Sequence, residues 1–401
     1  MDNILLSAFA CDPTKGSEPS NGWNWSVGLS NLNYNVICLT RSVNKSGIES
    51  FEVPANLKFC YIKLPYGLEK LYHLSTPGMY IYYLLWQWLA YRRAKRMSKE
   101  HQFKLAHHVT WGSTQMGSFL YKLGIPFLFG PAGGGQEAPE MFRNYFGSSW
   151  SSEMKRSKIS GLLAKYNPGF NKMVKAARVV IASNHETEKL VKENGADRVT
   201  MFLDAALSEN FYPKTFVPKQ IDEEIKLLWV GRFMPRKGLL LVLDVMKELK
   251  DYRNISLTVV GDGEIKQEFL NRIEQYDLKA TVTWVGKVGY NEVREFYRSH
   301  HVFFFTSFRD SCPAQLIEAM AFGMPIVTLD IHGQSLIVNE KTGFKCMADD
   351  PRELINDLKE SILKFQEDKS LITEMSNHAY AFAINQTWRK KISDIVSKYY
   401  S

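Results

Sequence analysis

Short, continuous apolar runs alternate with stretches of helical periodicity from one end of the chain to the other. In the first half the runs are Ile4 to Phe9, Asn35 to Thr40, Leu105 to Val109, Pro126 to Phe129 and Val179 to Ala182. In the second half they are Leu227 to Val230, Leu257 to Val260, Val282 to Val285, Val302 to Phe305 and Ile326 to Leu329. Unbroken runs of this length suit strands buried on both faces, and helical intervals between them imply parallel pairing through right-handed crossovers. So many strands exceed one open sheet of usual size, so the pattern predicts an α/β protein of two doubly wound, Rossmann-like domains facing a cleft. Phe211 to Glu224, with Pro213, Pro218 and a charged end, interrupts the periodicity and predicts the boundary. The expected segments are a first domain over 1–210, a linker over 211–224 and a second domain over 225–384. Asp350-Pro351-Arg352-Glu353 combines an N-cap, a proline at the first helical position and a capping-box glutamate, opening a helical tail that ends in a helix over 385–401.

Composition narrows the class without naming a chemistry. An apolar fraction of 45% and a charged fraction of 23% over 401 residues are those of an ordinary soluble protein. The five cysteines are scattered and odd in number, which points to a reducing cytoplasm rather than a disulfide framework. No Cys, His or carboxylate spacing suggests a metal site, and no cofactor is expected. Met1-Asp2-Asn3 leads into the first strand with no basic n-region or cleavage site, so no signal peptide is expected. A net charge of +8 suits acidic partners such as anionic lipid or a nucleotide diphosphate, but it is not clustered as nucleic-acid binding requires. The longest apolar run, Met79 to Tyr91, is interrupted by Gln87 and followed by Arg92, Arg93, Lys95 and Arg96. It is short of the roughly 20 apolar residues that span a bilayer. It reads first as a partly buried helix with a basic tail, and otherwise as a peripheral contact with a membrane surface or lipid acceptor.

Ligands of doubly wound sheets bind outside the carboxyl ends of the strands, so the residues just after each strand are the informative ones. Gly231 to Gly238 places Arg232, Arg236 and Lys237 ahead of a helix, cations suited to a diphosphate. Gly261-Asp262-Gly263 opens like a dinucleotide fingerprint, but Lys266 stands where the third glycine belongs, which disfavours a dehydrogenase. Gly16 to Trp23 follows the first strand, and Gly133-Gly134-Gly135 follows another; such glycines permit close backbone approach. His107-His108 ends a strand, with alternation turning one ring, expected to be His108, toward the cleft. Asp310 and Glu318 lie eight positions apart across a strand-to-helix junction. At 1.5 Å per helical residue they would be separated by roughly 10 Å, with Ser311, Ala314 and Glu318 on one face and a phosphate-friendly helix N-terminus between.

Taken as an ordered set, Gly231-Arg232…Lys237-Gly238, Gly261-Asp262-Gly263, Asp310-x7-Glu318-Ala-Met-Ala-x-Gly323-x-Pro325, Gly333 and Thr342-Gly343 resemble the family 4 retaining glycosyltransferases of the GT-B fold. The N-terminal Gly16-Ser-Glu-Pro19, His107-His108-Val-Thr-Trp-Gly112 and Gly130 to Glu137 are similar to a subgroup that builds bacterial exopolysaccharide, capsule or lipopolysaccharide. The resemblance implies that Arg232 and Lys237 hold the diphosphate of a nucleoside diphosphate sugar, Glu318 the ribose hydroxyls and Asp310 the sugar hydroxyls. It further implies donor contacts from Gly16, Ser311, Cys312, Ala314, Gly261 and Gly263, with Asp310, Lys237 and Arg232 as catalytic candidates, to which strand alternation adds His108. The acceptor would be a glycan or lipid-linked glycan, and the C-terminal helix would return to the first domain. Three positions depart from the family: Asp310 replaces the usual Glu, Ser311-Cys312-Pro313 replaces Gly-Phe-Gly, and Gly130-Pro131 stands where many relatives carry a cleft histidine. A sugar-nucleotide epimerase of the same architecture is the second reading.

Overall fold

The computed structural model describes residues 1–347 and 349–400. One sheet contains β1 (Asn3–Ala8), β2 (Asn35–Arg41), β3 (Leu57–Ile62), β4 (Phe103–Thr110), β5 (Phe127–Ala132), β6 (Val179–Ala182) and β7 (Val199–Met201), in the order β3-β2-β1-β4-β5-β6-β7. The other contains β8 (Ile225–Val230), β9 (Ile255–Val260), β10 (Val282–Gly286), β11 (Val302–Phe305), β12 (Ile326–Leu329) and β13 (Gly343–Cys346), in the order β10-β9-β8-β11-β12-β13. Every pairing in both is parallel. Two Rossmann-like sheets therefore carry the fold, as the alternation of apolar runs predicts. In each, the chain winds one way from a central strand and then the other. The switch points fall between β1 and β4 and between β8 and β11, where such sheets bind ligands.

The three strands that periodicity misses, β3, β7 and β13, are all edge strands. Each has partly exposed residues in its interior, so none presents the unbroken apolar run of a strand covered on both faces. The central strands do. In the first sheet Leu5, Leu39, Ala106, Phe129 and Val180 pack with Tyr82, Tyr83 and Trp86 of the helix Thr76–Met97. In the second, Leu227, Trp229, Leu257, Val259 and Phe304 pack with the helix Leu239–Glu248, which buries Leu239 to Leu243, Val245 and Met246. Each such side chain taken from water stabilises the fold by about 1.5–3 kcal/mol.

The chain forms two compact units: Met1–Gly135 with Lys158–Asp204 and Trp388–Ser401, and Gln136–Ser157 with Ala205–Thr387. These differ from the expected segments: residues 205–210 and 385–387 fall in the second unit, and two longer stretches also move. Residues 211–224 are not a free linker but part of the second unit, because apolar and cationic anchors outweigh the two prolines. Phe216 stacks on Tyr380 at 3.9 Å between ring centroids, Ile221 is buried, and Lys219 donates to the carbonyls of Tyr297 (2.7 Å) and Arg298 (2.6 Å). Residues 136–157 also pack with the second unit rather than the first, through Phe142, Phe146 and Trp150. The helix Trp388–Tyr399 packs in the first unit, where the Ile392 side chain fills the space beside Gly28.

Candidate functional site

At the β8/β11 switch point the loops leaving the two strands interlock. Gly238 has φ 67°, and a Cβ there would lie 2.0 Å from the Thr306 carbonyl oxygen, so the loops touch backbone to backbone. Thr306 donates its hydroxyl to the Gly238 carbonyl (3.0 Å), Ser307 to that of Arg236 (3.1 Å), and the Phe308 amide also reaches Arg236 (2.8 Å). This lacing brings Lys237 Nζ to 2.5 Å from Asp310 Oδ2, with Arg236 Nη1 at 3.3 Å from Asp310 Oδ1. Lys237 is only 7% exposed. Burial alone would push the Asp310 carboxyl up, but Lys237 and Arg236 reverse this and hold it below the usual carboxylate range. Burial likewise pulls Lys237 down, opposed by Asp310 and reinforced by Arg236 and Arg232. The cation that joins Lys237 on Asp310 is therefore Arg236, which the resemblance passes over, whereas Arg232 is exposed at the loop's start.

Glu318 lies on the helix Ala314–Met320, and Asp310 lies in the loop before it, as a strand-to-helix junction requires. Pro313, at the N-cap, supplies no N–H. Tyr297 donates its hydroxyl to Glu318 Oε2 at 2.9 Å, and the more exposed Tyr290 reaches Oε1 at 3.4 Å. Burial raises the Glu318 pKa while the two phenols pull it down. Both tyrosines come from the helix Tyr290–Ser299 and sit seven positions apart on one face. That spacing is the signal by which the sequence could have found them.

The remaining expected contacts separate into two groups. Ser311, Cys312 and Ala314 follow Asp310 and are partly buried. Their loop is fixed by Gly333, whose N–H donates to the Asp310 carbonyl (3.1 Å) and whose missing side chain leaves room for the Ser311 carbonyl. Gly261 and Gly263 instead serve packing. A Cβ on Gly261 would lie 1.8 Å from the Gly231 carbonyl oxygen, and one on Gly263 would lie 2.6 Å from that of Phe233. From the other side, the segment 136–157 braces the loop. Phe142 stacks on Phe308 at 4.1 Å and 16°, Glu153 pairs with Arg309 at 2.7 Å, and His332 contacts the Glu137 carbonyl at 2.9 Å.

At the β1/β4 switch point of the first unit, Glu18 opens the helix Glu18–Asn31 and accepts from the Gly112 N–H at 3.0 Å. Burial raises its carboxyl to about 7, with the nearby Asp204 adding to the shift and Gly112 and Arg41 opposing it. His108 does not turn into an open site. It is fully buried, stacks on Phe129, and has Ser7 Oγ at 3.0 Å on Nδ1 and the Trp111 carbonyl at 3.2 Å on Nε2. Burial lowers its pKa to about 4, so the ring is a neutral packing element. The alternation of the strand does turn His107 the other way, onto the Tyr400 hydroxyl (2.6 Å) and Gly130 carbonyl (2.7 Å). Both faces of a central strand are covered, so both rings are buried. Gly16 is exposed, with no other group within 4 Å of where a side chain would stand. The triple glycine is taken up within the first unit: Gly134 exchanges hydrogen bonds with Thr187 Oγ1 at 2.9 Å, and Thr114 occupies its Cβ position.

Residues 213–382 match the family model of glycosyl transferases group 1. Over 152 residues the chain is 29% identical to an uncharacterized glycosyltransferase of Haemophilus influenzae, covering 36% of this chain and 42% of that one. Over 173 residues it is 27% identical to the phosphatidylinositol N-acetylglucosaminyltransferase GPI3 subunit of Saccharomyces cerevisiae (41% and 38%). Over 179 residues it is 29% identical to the amylovoran biosynthesis glycosyltransferase AmsD of Erwinia amylovora (45% and 42%). Each match spans less than half of the relative's length. Among solved structures, sucrose-phosphate synthase from Thermosynechococcus elongatus superimposes with a TM-score of 0.65 at 15% identity, covering 100% of this chain and 98% of that one. WaaG, a glycosyltransferase involved in lipopolysaccharide biosynthesis, gives 0.63 at 12% identity, covering 99% of both chains. At such identities the likeness is one of fold, and the relatives named are transferases, which does not favour the epimerase reading. The chain thus has the two-sheet GT-B fold, and its residues 213–382 are similar to the glycosyl transferases group 1 family.

Proposed function

We propose that the protein is a family 4 retaining glycosyltransferase. It would move a sugar from a nucleoside diphosphate sugar to a hydroxyl of a growing cell-surface glycan or lipid-linked acceptor, at the cytoplasmic face of a membrane and with no other cofactor. The observation that carries this is the Lys237–Asp310–Arg236 cluster at the β8/β11 switch point, in a domain that matches glycosyl transferases group 1. Lys237, Arg236 and the exposed Arg232 offer positive charge where a departing diphosphate would gain negative charge, which is where preorganised cations lower a barrier most. Glu318, oriented by Tyr297, accepts hydrogen bonds from the ribose hydroxyls, and Asp310 from those of the donor sugar. Ser311, Cys312 and Ala314 line the same loop. The acceptor proton passes to the leaving phosphate on the same face. In the first unit the partly buried Glu18, at the β1/β4 switch point, would hydrogen-bond an acceptor hydroxyl. The surface-glycan assignment takes support from the relative named for amylovoran biosynthesis.

The test is release of nucleoside diphosphate and transfer of labelled sugar across a panel of nucleotide sugars. Glu318→Ala should fold, melt cooperatively and lose transfer by about a hundredfold or more, the scale of removing one preorganised polar contact. Full transfer by this variant would overturn the assignment, and so would an epimerised sugar appearing with donor alone.

A further inference from the structure

The helix Thr76–Met97 buries one face on the first sheet through Tyr82, Tyr83, Trp86, Ala90 and Ala94. Its opposite face is not the polar one that a surface helix normally presents. Ile81 is 52% exposed, Leu84 41% and Trp88 46%. At positions i, i+3 and i+7 they form one stripe, and the same stripe continues into Arg92 and Lys95. The Arg92 guanidinium lies 4.6 Å from the Trp88 ring centroid, at the junction of the apolar and basic halves.

A second exposed stripe lies on the first unit's part of another helix. On the helix Trp150–Tyr166, Ile159, Leu162 and Tyr166 recur at the same spacing and are 54%, 58% and 66% exposed, flanked by exposed Lys158 and Lys165. Gln115 ties the two helices together. It accepts from the Tyr80 hydroxyl and donates to Ser160 Oγ at 2.7 Å. Behind the basic end, a groove of about 500 Å³ is lined by Tyr61, Lys63, Arg92, Arg93 and Arg96, with no carboxylate in its lining. None of these arginines forms an ion pair among the described residues.

We propose that this face of the first unit is a docking surface for an anionic membrane. Ile81, Leu84, Trp88 and the Ile159–Tyr166 stripe enter the headgroup boundary, and the groove at Arg92, Arg93 and Arg96 receives lipid phosphate. An apolar stripe continuous with a basic one is the pattern of a helix lying in the interfacial plane, with Trp at the boundary and cations toward the headgroups. Charge decides the occupant, because a second copy of this chain would bring the same arginines against themselves, whereas a phosphate-bearing surface neutralises them. Combined with the proposed transferase activity, such docking would present lipid-linked acceptors to the loop that follows β4, which contains Gln115. The docking itself stands without that activity.

Vesicle co-sedimentation with the full chain, without donor or acceptor, tests it. The protein should bind vesicles of 30% phosphatidylglycerol in phosphatidylcholine at least about tenfold more tightly than pure phosphatidylcholine, and added salt should weaken that binding. A basic residue near an anionic surface strengthens binding by about fivefold, so R92Q/R93Q/R96Q should cost up to about a hundredfold and abolish the preference. I81S/L84S/W88S should weaken binding to both vesicles, and the Trp88 fluorescence shift on vesicle addition should disappear in W88S. Melting curves of each variant check that the fold persists. Equal binding by wild type and the arginine variant would overturn the proposal, as would failure of wild type to bind either vesicle. A dimer in solution that W88S dissociates would assign the face to self-association instead.

Discussion

Replacing Lys237 by Met keeps the aliphatic stem and deletes the charge 2.5 Å from Asp310. With an effective dielectric of about 20, the gross attraction at that distance is about 7 kcal/mol, and that of Arg236 at 3.3 Å is about 5 kcal/mol. Desolvation of both ions offsets much of this, and removing one partner of a buried pair typically costs about 3–5 kcal/mol. Because Arg236 remains to hold Asp310, the loss should be nearer 2–3 kcal/mol. Asp310→Asn should cost a similar amount by leaving Lys237 without its carboxylate. The double variant K237M/D310N should be more stable than the sum of the two losses by about 2 kcal/mol, since neither charge is then stranded. Urea unfolding of the four proteins completes the cycle, and transfer rates measured alongside should fall by about a hundredfold or more in each single variant. Additive losses within about 0.5 kcal/mol would refute the ion pair as a unit. A Lys237→Met protein transferring sugar within tenfold of wild type would refute the proposed role of Lys237 at the donor phosphates.

Glu18→Gln should change how stability depends on pH. Glu18 has a folded pKa of about 7 against an ordinary 4.5, so its protonated form is favoured in the fold; its contribution is full below about pH 4.5 and lost as pH rises through about 7. Glutamine keeps the acceptor for Gly112 and never ionises, so urea melts should show the variant gaining up to about 3 kcal/mol over wild type at pH 8 and nothing at pH 4. Parallel stability curves would refute the raised value. Phe308→Ala, which opens a cavity against Phe142, Tyr145 and Phe146, should cost about 3–5 kcal/mol. It should also expose the 136–157 segment to limited proteolysis, and an unchanged cleavage pattern would count against the bracing role.

Much of the fold was legible because the interior strands of a parallel sheet are covered on both faces and must be apolar throughout. The edge strands β3, β7 and β13 escaped for the same reason in reverse. The glycines at Gly231, Gly238, Gly261 and Gly263 were visible as a pattern, but their use was not. Three-dimensional contact was needed to show Gly238 and Gly261 making room for backbone oxygens. His108 misled because alternation gives the side of a strand and says nothing of what covers that side. The pairing of Arg236 rather than Arg232 with Asp310 depends on the single turn Pro235–Lys237, whose geometry leaves no periodic trace. Phe142 and Phe308 are 166 positions apart, and no local signal joins them.

The chain crosses between its units more often than two tandem domains require, since Gln136–Ser157 joins the second unit and Trp388–Ser401 the first. Recombination between relatives at a single breakpoint in the proline-rich 211–224 region would therefore exchange incomplete bodies. A chimera cut there would clothe Phe308 and Arg309 with a foreign 136–157 segment, and would ask a foreign Tyr400 to meet His107. Exchanging the second unit between homologues calls for transplanting the 136–157 segment together with 205–387, as one inheritance unit written in two places along the gene.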